Sequence, residues 1–228
     1  MRQLLLEWGA AKPQTLDNFV VGKNQELAAL LQLVKERAAS TLDKRFVMIW
    51  GENGAGKSHL LHALTKTDGA RYLPGHSGVS DFEFSPDTHL YLLDDCQNLS
   101  DEAQIAAFAL FNQIRESGGV MIAAAMLPPA QLGLREDLRT RLAWGLVYQL
   151  HSLSDDEKID ALTLSAHARG QSLSVGVIPY LLTQYRRDMQ SLLTILDALD
   201  HYSLETKRPI TLPLMRELLQ LDETVKPL

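Results

Sequence analysis

Residues 46–64 read FVMIWGENGAGKSHLLHAL, and this stretch decides the fold. Its first five residues, Phe46–Trp50, form an unbroken apolar run that stops at a glycine, which is typical of a strand buried on both faces. A helical pattern of leucines at Leu60, Leu61 and Leu64 follows directly. The stretch therefore predicts a buried strand, a glycine-rich loop and a helix in immediate succession.

The loop fits the pattern G-x-x-x-x-G-K-[ST], which cradles nucleotide phosphates when it lies between a strand and a helix. Glycines let backbone N–H groups close around phosphates, the helix start adds positive potential, a lysine reaches the terminal phosphates and a serine ligates Mg²⁺. The nucleotide-binding residues predicted here are Gly51, Gly54, Gly56, Lys57, Ser58 and the adjoining His59. The alternative is a glycine-rich turn without a ligand, and the register of strand, loop, lysine and serine disfavours it.

A second buried strand, Leu90 to Asp94, ends with two adjacent acidic residues, Asp94 and Asp95. A phosphate and metal site needs an acid at the end of another buried strand. We expect Asp94 to hold Mg²⁺, directly or through water, and Asp95 to polarise an attacking water. Two acids that merely end a strand in solvent are the alternative.

The pattern along the first two thirds of the chain alternates strands with helices, which predicts an α/β fold with a parallel sheet covered on both sides. Five strands are predicted, at residues 46–50, 71–74, 90–94, 120–125 and 146–150. The predicted helices cover residues 23–39, the segment after the glycine loop, and residues 101–117.

After Leu150 the pattern becomes purely helical. Ser154 and Glu157 form a capping box for a helix that runs to Ala168, and Gly170 supplies its stop. Further helices are predicted at residues 181–186, 188–204 and 212–221, with Pro179 making the start of the first of them ambiguous. The predicted domains are a peptide and linker at 1–14, an α/β nucleotide-binding domain at 15–153 and a small all-helical lid at 154–228.

Composition narrows the classes of protein. The net charge of −6 argues against a chain whose affinity comes mainly from neutralising nucleic-acid phosphates. One cysteine among 228 residues excludes an intramolecular disulfide and fits a reducing, cytoplasmic compartment. No apolar run approaches the length of a membrane span, so a membrane is not expected among the partners.

Three stretches of the sequence carry a family resemblance: TLDNFVVGKNQELA at 15–28, GENGAGKSHLLHAL at 51–64 and DLRTRLAWGL at 137–146. Together they resemble the replication-initiator branch of the AAA+ ATPases, whose type member is DnaA. The resemblance implies a AAA+ P-loop core followed by a helical lid, with ADP or ATP and Mg²⁺ as cofactors. It stops before DnaA's C-terminal DNA-binding domain, and such a short chain resembles the Hda family of DnaA-homologous regulatory inactivators.

The opening run MRQLLLEW matches the clamp-docking peptide of that family, through Gln3, Leu4, Leu6 and Trp8. The resemblance implies that this peptide binds the DNA-loaded sliding clamp and that DNA is contacted mainly through the clamp. A targeting sequence is excluded because the run is too short and lacks a cleavage site. An extra edge strand on the sheet is the remaining alternative.

The resemblance also assigns roles to other residues. Arg141 takes the arginine-finger position, directed at the ATP of a neighbouring subunit, which is a DnaA-type initiator or a second copy of the chain. Arg187 takes the sensor-2 position on the lid, and Phe19 and Val21 lie where the family packs adenine. Without the resemblance, ordinary surface residues are the favoured interpretation of both arginines.

One position departs from the family. Met126 follows the strand 120–125 where the family presents a polar sensor-1 residue, and a methionine cannot orient water or contact a γ-phosphate. The resemblance therefore implies a nucleotide-binding regulator, with ADP as its working form, that stimulates hydrolysis of initiator-bound ATP. An autonomous AAA+ ATPase, such as a helicase loader or remodeller, is the competing hypothesis.

Overall fold

The structure, a computed structural model, describes residues 13–38, 41, 43–168, 170–184 and 188–221. These residues form two compact units, one at 14–152 and the other beginning at Leu153. The predicted docking residues Gln3, Leu4, Leu6 and Trp8 and the predicted lid residue Arg187 lie outside the described residues. Among the residues that are described, no helix is both long and apolar enough to cross a bilayer.

A five-stranded sheet forms the centre of the first unit, and every neighbouring pair of strands is parallel. The strands are β1 (Phe46–Trp50), β2 (Ala70–Leu73), β3 (Leu90–Leu93), β4 (Val120–Ala125) and β5 (Leu146–Gln149). Their order across the sheet is β2-β3-β4-β1-β5, which leaves β2 and β5 at the edges. The predicted α/β class and five-stranded parallel sheet are thus confirmed.

Helices cover both faces of this sheet. They are α1 (Gln25–Lys35), α2 (Lys57–Leu64), α3 (Asp101–Ser117) and α4 (Glu136–Leu142). Helices α1 and α2 share a core with Val47 and Ile49 on one face, whereas α3 and α4 share a core with Phe46 and Met48 on the other. Alternate residues of β1 face opposite ways, so an unbroken apolar strand is required between two helical layers.

Helix α1 is shorter than the predicted segment 23–39. It ends at Lys35, and Arg37 takes a left-handed conformation with φ of 57°. The N–H groups of Arg37 and Ala38 donate to the carbonyl oxygens of Val34 and Leu33, which closes the helix end. The charged run in this part of the sequence therefore marks a helix terminus, where backbone hydrogen bonding favours a left-handed residue.

The second unit is helical throughout its described part. Its helices are α5 (Asp155–Ala168), α6 (Val177–Gln184), α7 (Met189–Thr206) and α8 (Leu212–Leu221), and their apolar faces form one core. The predicted capping box is present, because the Glu157 N–H donates to Ser154 Oγ at 3.2 Å and the Ser154 N–H to Glu157 Oε2 at 2.7 Å. Gly170 follows α5 with φ of 71°, as its predicted role as a helix stop requires.

The predicted start of α6 was wrong. The helix begins at Val177, not at Leu181, so Pro179 falls inside its first turn. Proline is tolerated there because N–H groups in the first turn have no partner within the helix. The proline therefore marks the beginning of this helix and does not interrupt it.

Candidate nucleotide-binding site

The glycine loop lies between β1 and α2, at the carboxyl edge of the sheet. Gly54 and Gly56 have φ values of 78° and 106°, which side chains other than glycine rarely adopt. A Cβ atom on Gly56 would lie 2.9 Å from Cε2 of Phe19, and one on Gly51 would collide with the carbonyl oxygen of Leu150. Conformation and close packing thus require glycine at all three predicted positions.

Lys57 begins α2 and folds its side chain back over the loop. Its Nζ atom donates to the carbonyl oxygens of Gly51 at 2.8 Å and Glu52 at 2.9 Å, and the residue is only 6% exposed. Burial lowers the pKa of the ammonium group, while the charges of Asp95 and Asp94 oppose that shift. The structure therefore brings the lysine of the loop and both predicted acids into one electrostatic environment.

Asp94 follows β3 and is 2% exposed. Its Oδ1 atom accepts the backbone N–H of Asp95 at 2.9 Å, and its Oδ2 atom accepts the hydroxyl of Tyr72 at 2.7 Å. Burial, and then the hydrogen bond to Asp94, raise the pKa of the Tyr72 phenol, which keeps it a donor. A buried carboxylate with two donors has a fixed orientation and still has a lone pair on each oxygen for a cation.

Asp95 lies beside it in a left-handed conformation, with φ of 47°. Gln97 donates from Nε2 to Asp95 Oδ1 at 3.1 Å, and its Oε1 atom accepts the N–H of Met126 at 3.2 Å. The amide of Gln97 therefore connects the loop after β3 with the end of β4. Met126 itself is 47% exposed.

Phe19 and His59 form a small aromatic group beside the glycine loop. Their ring centroids are 5.6 Å apart, and Nε2 of His59 lies 3.0 Å from the carbonyl oxygen of Thr15. Burial lowers the pKa of His59, against the opposing effect of that backbone contact. The segment before α1 is thus fastened to the helix that follows the loop.

Val21 is held in place through its backbone. Its carbonyl oxygen accepts from the side chain of Asn24, which also donates to the carbonyl of His151 at 2.9 Å and accepts the His151 N–H at 2.8 Å. Asn24 is buried, and it joins the entry segment to the residue that follows β5 and Leu150. Hydrogen bonds through Asn24 therefore hold the backbone of Val21 near the end of β5.

Arg141 lies away from this group, on α4. Its guanidinium carbon is 5.6 Å from the ring centroid of Phe108 on α3, so it packs on the opposite face of the sheet from α2. Its Nε atom is buried and has no hydrogen-bond partner among the described residues. The neighbouring Arg135, by contrast, pairs with Asp137 at 2.9 Å.

Three residues of the site were not predicted from the sequence: Tyr72, Gln97 and Asn24. Tyr72 lies on a strand that was predicted, but nothing in the alternation of residues shows that its hydroxyl faces Asp94. Gln97 stands two residues after Asp95, a spacing that could have suggested a side chain able to turn back onto the acid. Asn24 precedes α1 as an ordinary helix-start residue, and its contact with His151 depends on the tertiary fold.

The comparisons with known proteins agree with this geometry. Residues 155–219 match the family model described as Hda, lid domain, and residues 11–72 match the model for the bacterial DnaA ATPase domain. An uncharacterized protein of Haemophilus influenzae is 36% identical over 96% of this chain and 99% of its own length.

Solved structures show the same fold. Domain III of the Thermotoga maritima replication initiation protein DnaA superposes with a TM-score of 0.71 at 20% identity, covering 92% of this chain and 96% of that one. DnaA from Aquifex aeolicus, solved with AMPPCP bound, superposes with a TM-score of 0.66 at 23% identity, covering 86% and 68% of the two chains.

The sheet order, the glycine loop after β1, the acids after β3 and the helical unit define a AAA+ protein of the P-loop class. Within that class, the two matching family models divide the chain between a DnaA-type ATPase core and an Hda-type lid. The chain belongs to the Hda/DnaA-like AAA+ family, whose members are related to replication initiation.

Proposed function

We propose that the chain is a nucleotide-binding regulator of chromosomal replication initiation, working in the cytoplasm. It holds ADP or ATP with Mg²⁺, docks on the DNA-loaded sliding clamp and stimulates hydrolysis of ATP bound to a DnaA-type initiator. The observation that carries the nucleotide part is the position of Lys57, which bridges two loop carbonyls beside Asp94 and Asp95.

The residues around the loop fit a nucleotide and its metal. Gly54 and Gly56 adopt the conformations that turn backbone N–H groups toward phosphates, and Lys57 can move from the loop carbonyls to a phosphate. Mg²⁺ is usually bound by one or two protein oxygens together with phosphates, and Ser58 and Asp94 supply oxygens of that kind. Bound Mg²⁺ would neutralise phosphate charge in this site.

We also propose which residues bind the nucleotide base. We assign adenine to the side of the loop where Phe19 packs against His59, and to Val21, as the family resemblance implies. The domain limits 15–153 and 154–228 are proposed from the sequence pattern, and Arg187 is proposed as a nucleotide-binding residue from the family resemblance alone.

Nucleotide binding is tested by titrating the protein with a fluorescent ADP analogue. Lys57→Ala is expected to abolish binding because it removes the cation that faces the phosphates. Lys66→Ala is the matched control, since Lys66 is an exposed lysine just beyond the end of the same helix. Equal affinity in the wild type and Lys57→Ala would refute the proposed site.

We assign docking on the clamp to Gln3, Leu4, Leu6 and Trp8. A glutamine followed by spaced apolar residues can bind a protein pocket with one polar anchor and an apolar plug. The support is the match to the lid model of the Hda family together with the sequence of this peptide. Gln3→Ala and Leu6→Ala should each weaken binding to an immobilised clamp, and wild-type binding in both variants would remove the docking role.

The stimulation of a partner's ATPase is assigned to Arg141. Arg141 is half-buried, so part of its side chain is open to a partner, and its guanidinium carbon lies 5.6 Å from the ring centroid of Phe108. An arginine placed on a γ-phosphate stabilises the charge of the transition state, and it increases hydrolysis by about 10³-fold to 10⁵-fold in P-loop proteins. The partner would be DnaA-type, with homo-oligomerisation as a further possibility.

An autonomous ATPase is the second candidate, and the contact between Gln97 and Asp95 favours it. That hydrogen bond holds the carboxylate that would polarise an attacking water. Met126 argues against an autonomous ATPase, because it stands where the family has a polar sensor-1 residue. A steady-state ATPase assay on the protein alone separates the two, since brisk turnover that requires Lys57 and Asp95 would establish the second candidate.

A further inference from the structure

Tyr72 lies on the edge strand β2, where it contacts Asp94 and the helix that carries Ser58, the two residues to which we assign Mg²⁺. Its hydroxyl donates to Oδ2 of Asp94 at 2.7 Å. Its ring stacks on the imidazole of His62, with centroids 4.3 Å apart and an interplanar angle of 26°. His62 belongs to α2, the helix that also carries Ser58.

The spacing along α2 places Ser58 and His62 on the same face. Residues four apart in an α-helix lie one above the other. The face of α2 that carries the hydroxyl of Ser58 is therefore packed, one turn later, against the ring of Tyr72. That same ring carries the hydroxyl that holds Asp94, so one side chain fixes the distance between the loop helix and the end of β3.

The hydrogen bond to Asp94 has a particular role in a site for a cation. A buried carboxylate that rotates freely loses entropy and contacts when it binds a metal, whereas one held by a donor is already oriented. Outer donors of this kind typically contribute a factor of about 10 to 100 in metal affinity. Asp95 supplies a donor to Oδ1 through its backbone, so Tyr72 is the side-chain donor that determines how Oδ2 is presented.

We infer that Tyr72 is a positioning residue for Mg²⁺ in the nucleotide site, acting through its hydroxyl on Asp94 and through His62 on the helix of Ser58. This inference rests on the proposed nucleotide site and deepens it. It adds a third strand, β2, to a site otherwise built from the ends of β1 and β3.

The test measures how strongly Mg²⁺ enhances the binding of a fluorescent ADP analogue. Affinity is determined in excess EDTA and in saturating Mg²⁺ for the wild type and Tyr72→Phe, and Mn²⁺ binding to the ADP complex is measured by electron paramagnetic resonance. Tyr72→Phe should keep the affinity in EDTA, lose about tenfold of the Mg²⁺ enhancement and bind Mn²⁺ about tenfold more weakly.

The chain offers a matched control. Tyr148 donates its hydroxyl to Glu26 at 3.0 Å on the other edge of the sheet, so Tyr148→Phe removes the same kind of bond away from the site. It should leave nucleotide and Mn²⁺ affinities unchanged. A second variant, His62→Leu, retains the bond to Asp94 but removes the stacked ring, and it should reduce the Mg²⁺ enhancement in the same direction.

The outcomes separate the inference from the proposed function. Wild-type Mg²⁺ enhancement in both Tyr72→Phe and His62→Leu would overturn the inference while leaving nucleotide binding intact. Wild-type protein that binds ADP without any Mg²⁺ effect would also overturn it. Wild-type protein that binds no nucleotide would overturn the proposed function and the inference together. If Tyr72→Phe fails to fold, the result with His62→Leu decides.

Discussion

The side-chain amide of Gln97 lies 3.1 Å from the carboxylate of Asp95, and this bond fixes an acid that stands in a left-handed backbone conformation. The other end of the amide accepts the N–H of Met126. One neutral side chain thus connects the end of β3 with the end of β4, where the family places its water-orienting groups.

Replacing Gln97 with Met removes both hydrogen bonds at similar side-chain length. We expect the free energy of unfolding to fall by about 1 to 3 kcal/mol, since each of the two hydrogen bonds typically contributes about 0.5 to 1.5 kcal/mol. Urea denaturation measures this loss. Gln131→Met, at an exposed glutamine, is the control, and an equal loss in both variants would show that the connection contributes nothing.

Gly56→Ala should destabilise the glycine loop through two causes at once, a positive φ and a close contact. The backbone at position 56 has a φ of 106°, which alanine rarely adopts. An alanine Cβ atom there would also lie 2.9 Å from Cε2 of Phe19, so either the backbone or the ring must move. We expect a loss of about 1 to 3 kcal/mol in the free energy of unfolding, together with weaker binding of the ADP analogue.

Two other glycines separate the causes of that loss. A Cβ on Gly170 meets nothing within 4 Å but requires a φ of 71°, so Gly170→Ala reports the backbone cost alone. A Cβ on Gly133 also meets nothing within 4 Å, and Gly133 carries no such φ. Gly133→Ala should therefore be nearly neutral, and a loss as large as that of Gly56→Ala would contradict the explanation.

His89 should make the protein less stable in acid. Burial lowers its pKa below the ordinary 6.5, the nearby charge of Arg37 lowers it further, and only Asp68 opposes the shift. Its Nε2 atom is buried without a hydrogen-bond partner among the described residues, so an added proton there is not satisfied.

The sign follows from linkage. Below about pH 6.5, the unfolded chain binds the proton more readily than the folded protein. The free energy of unfolding therefore rises with pH and levels off above about pH 6.5. His89→Gln should therefore lose less stability than the wild type when denaturation is measured first at about pH 7 and then at about pH 5. His76→Gln, at an exposed histidine, should follow the wild type, and parallel curves for all three proteins would rule out this role of His89.

Cys96 should be chemically inert while the protein is folded. The residue is fully buried, and burial raises the pKa of its thiol to about 12, so almost no reactive thiolate forms. Ellman's reagent should detect no thiol in the native protein and one after unfolding, because the sequence contains one cysteine. Rapid labelling of the thiol in the folded protein would contradict the burial of Cys96 in the segment that follows β3.

Most of the fold could be predicted because its signals are local. The run Phe46–Trp50 is apolar at every position since both of its faces are covered, and the glycine loop carries its own fixed spacing. The end of α1 and the beginning of α6 were less predictable. Lysine and arginine can either continue a helix or cap it, and Pro179 is permitted in a first turn but not later.

The site was predictable only where function depends on residue type. Lys57 and the glycines belong to a loop pattern with fixed spacing, and Asp94 ends a buried strand, so the sequence alone could single them out. Tyr72 contacts Asp94 because β2 pairs with β3, and Gln97 contacts Met126 because β3 pairs with β4. Nothing in the sequence near Tyr72 or Met126 indicates these contacts, whereas the two-residue spacing between Asp95 and Gln97 could have suggested theirs.

The most direct test of the central claim is the rate at which a DnaA-type initiator hydrolyses its bound ATP when clamp, DNA and this protein are combined. The wild type should accelerate hydrolysis, and Arg141→Ala should abolish the acceleration while still binding ADP and the clamp. Arg139→Ala, on the same helix, should behave like the wild type. Acceleration that persists undiminished in Arg141→Ala, or that is absent in the wild type, would contradict the account.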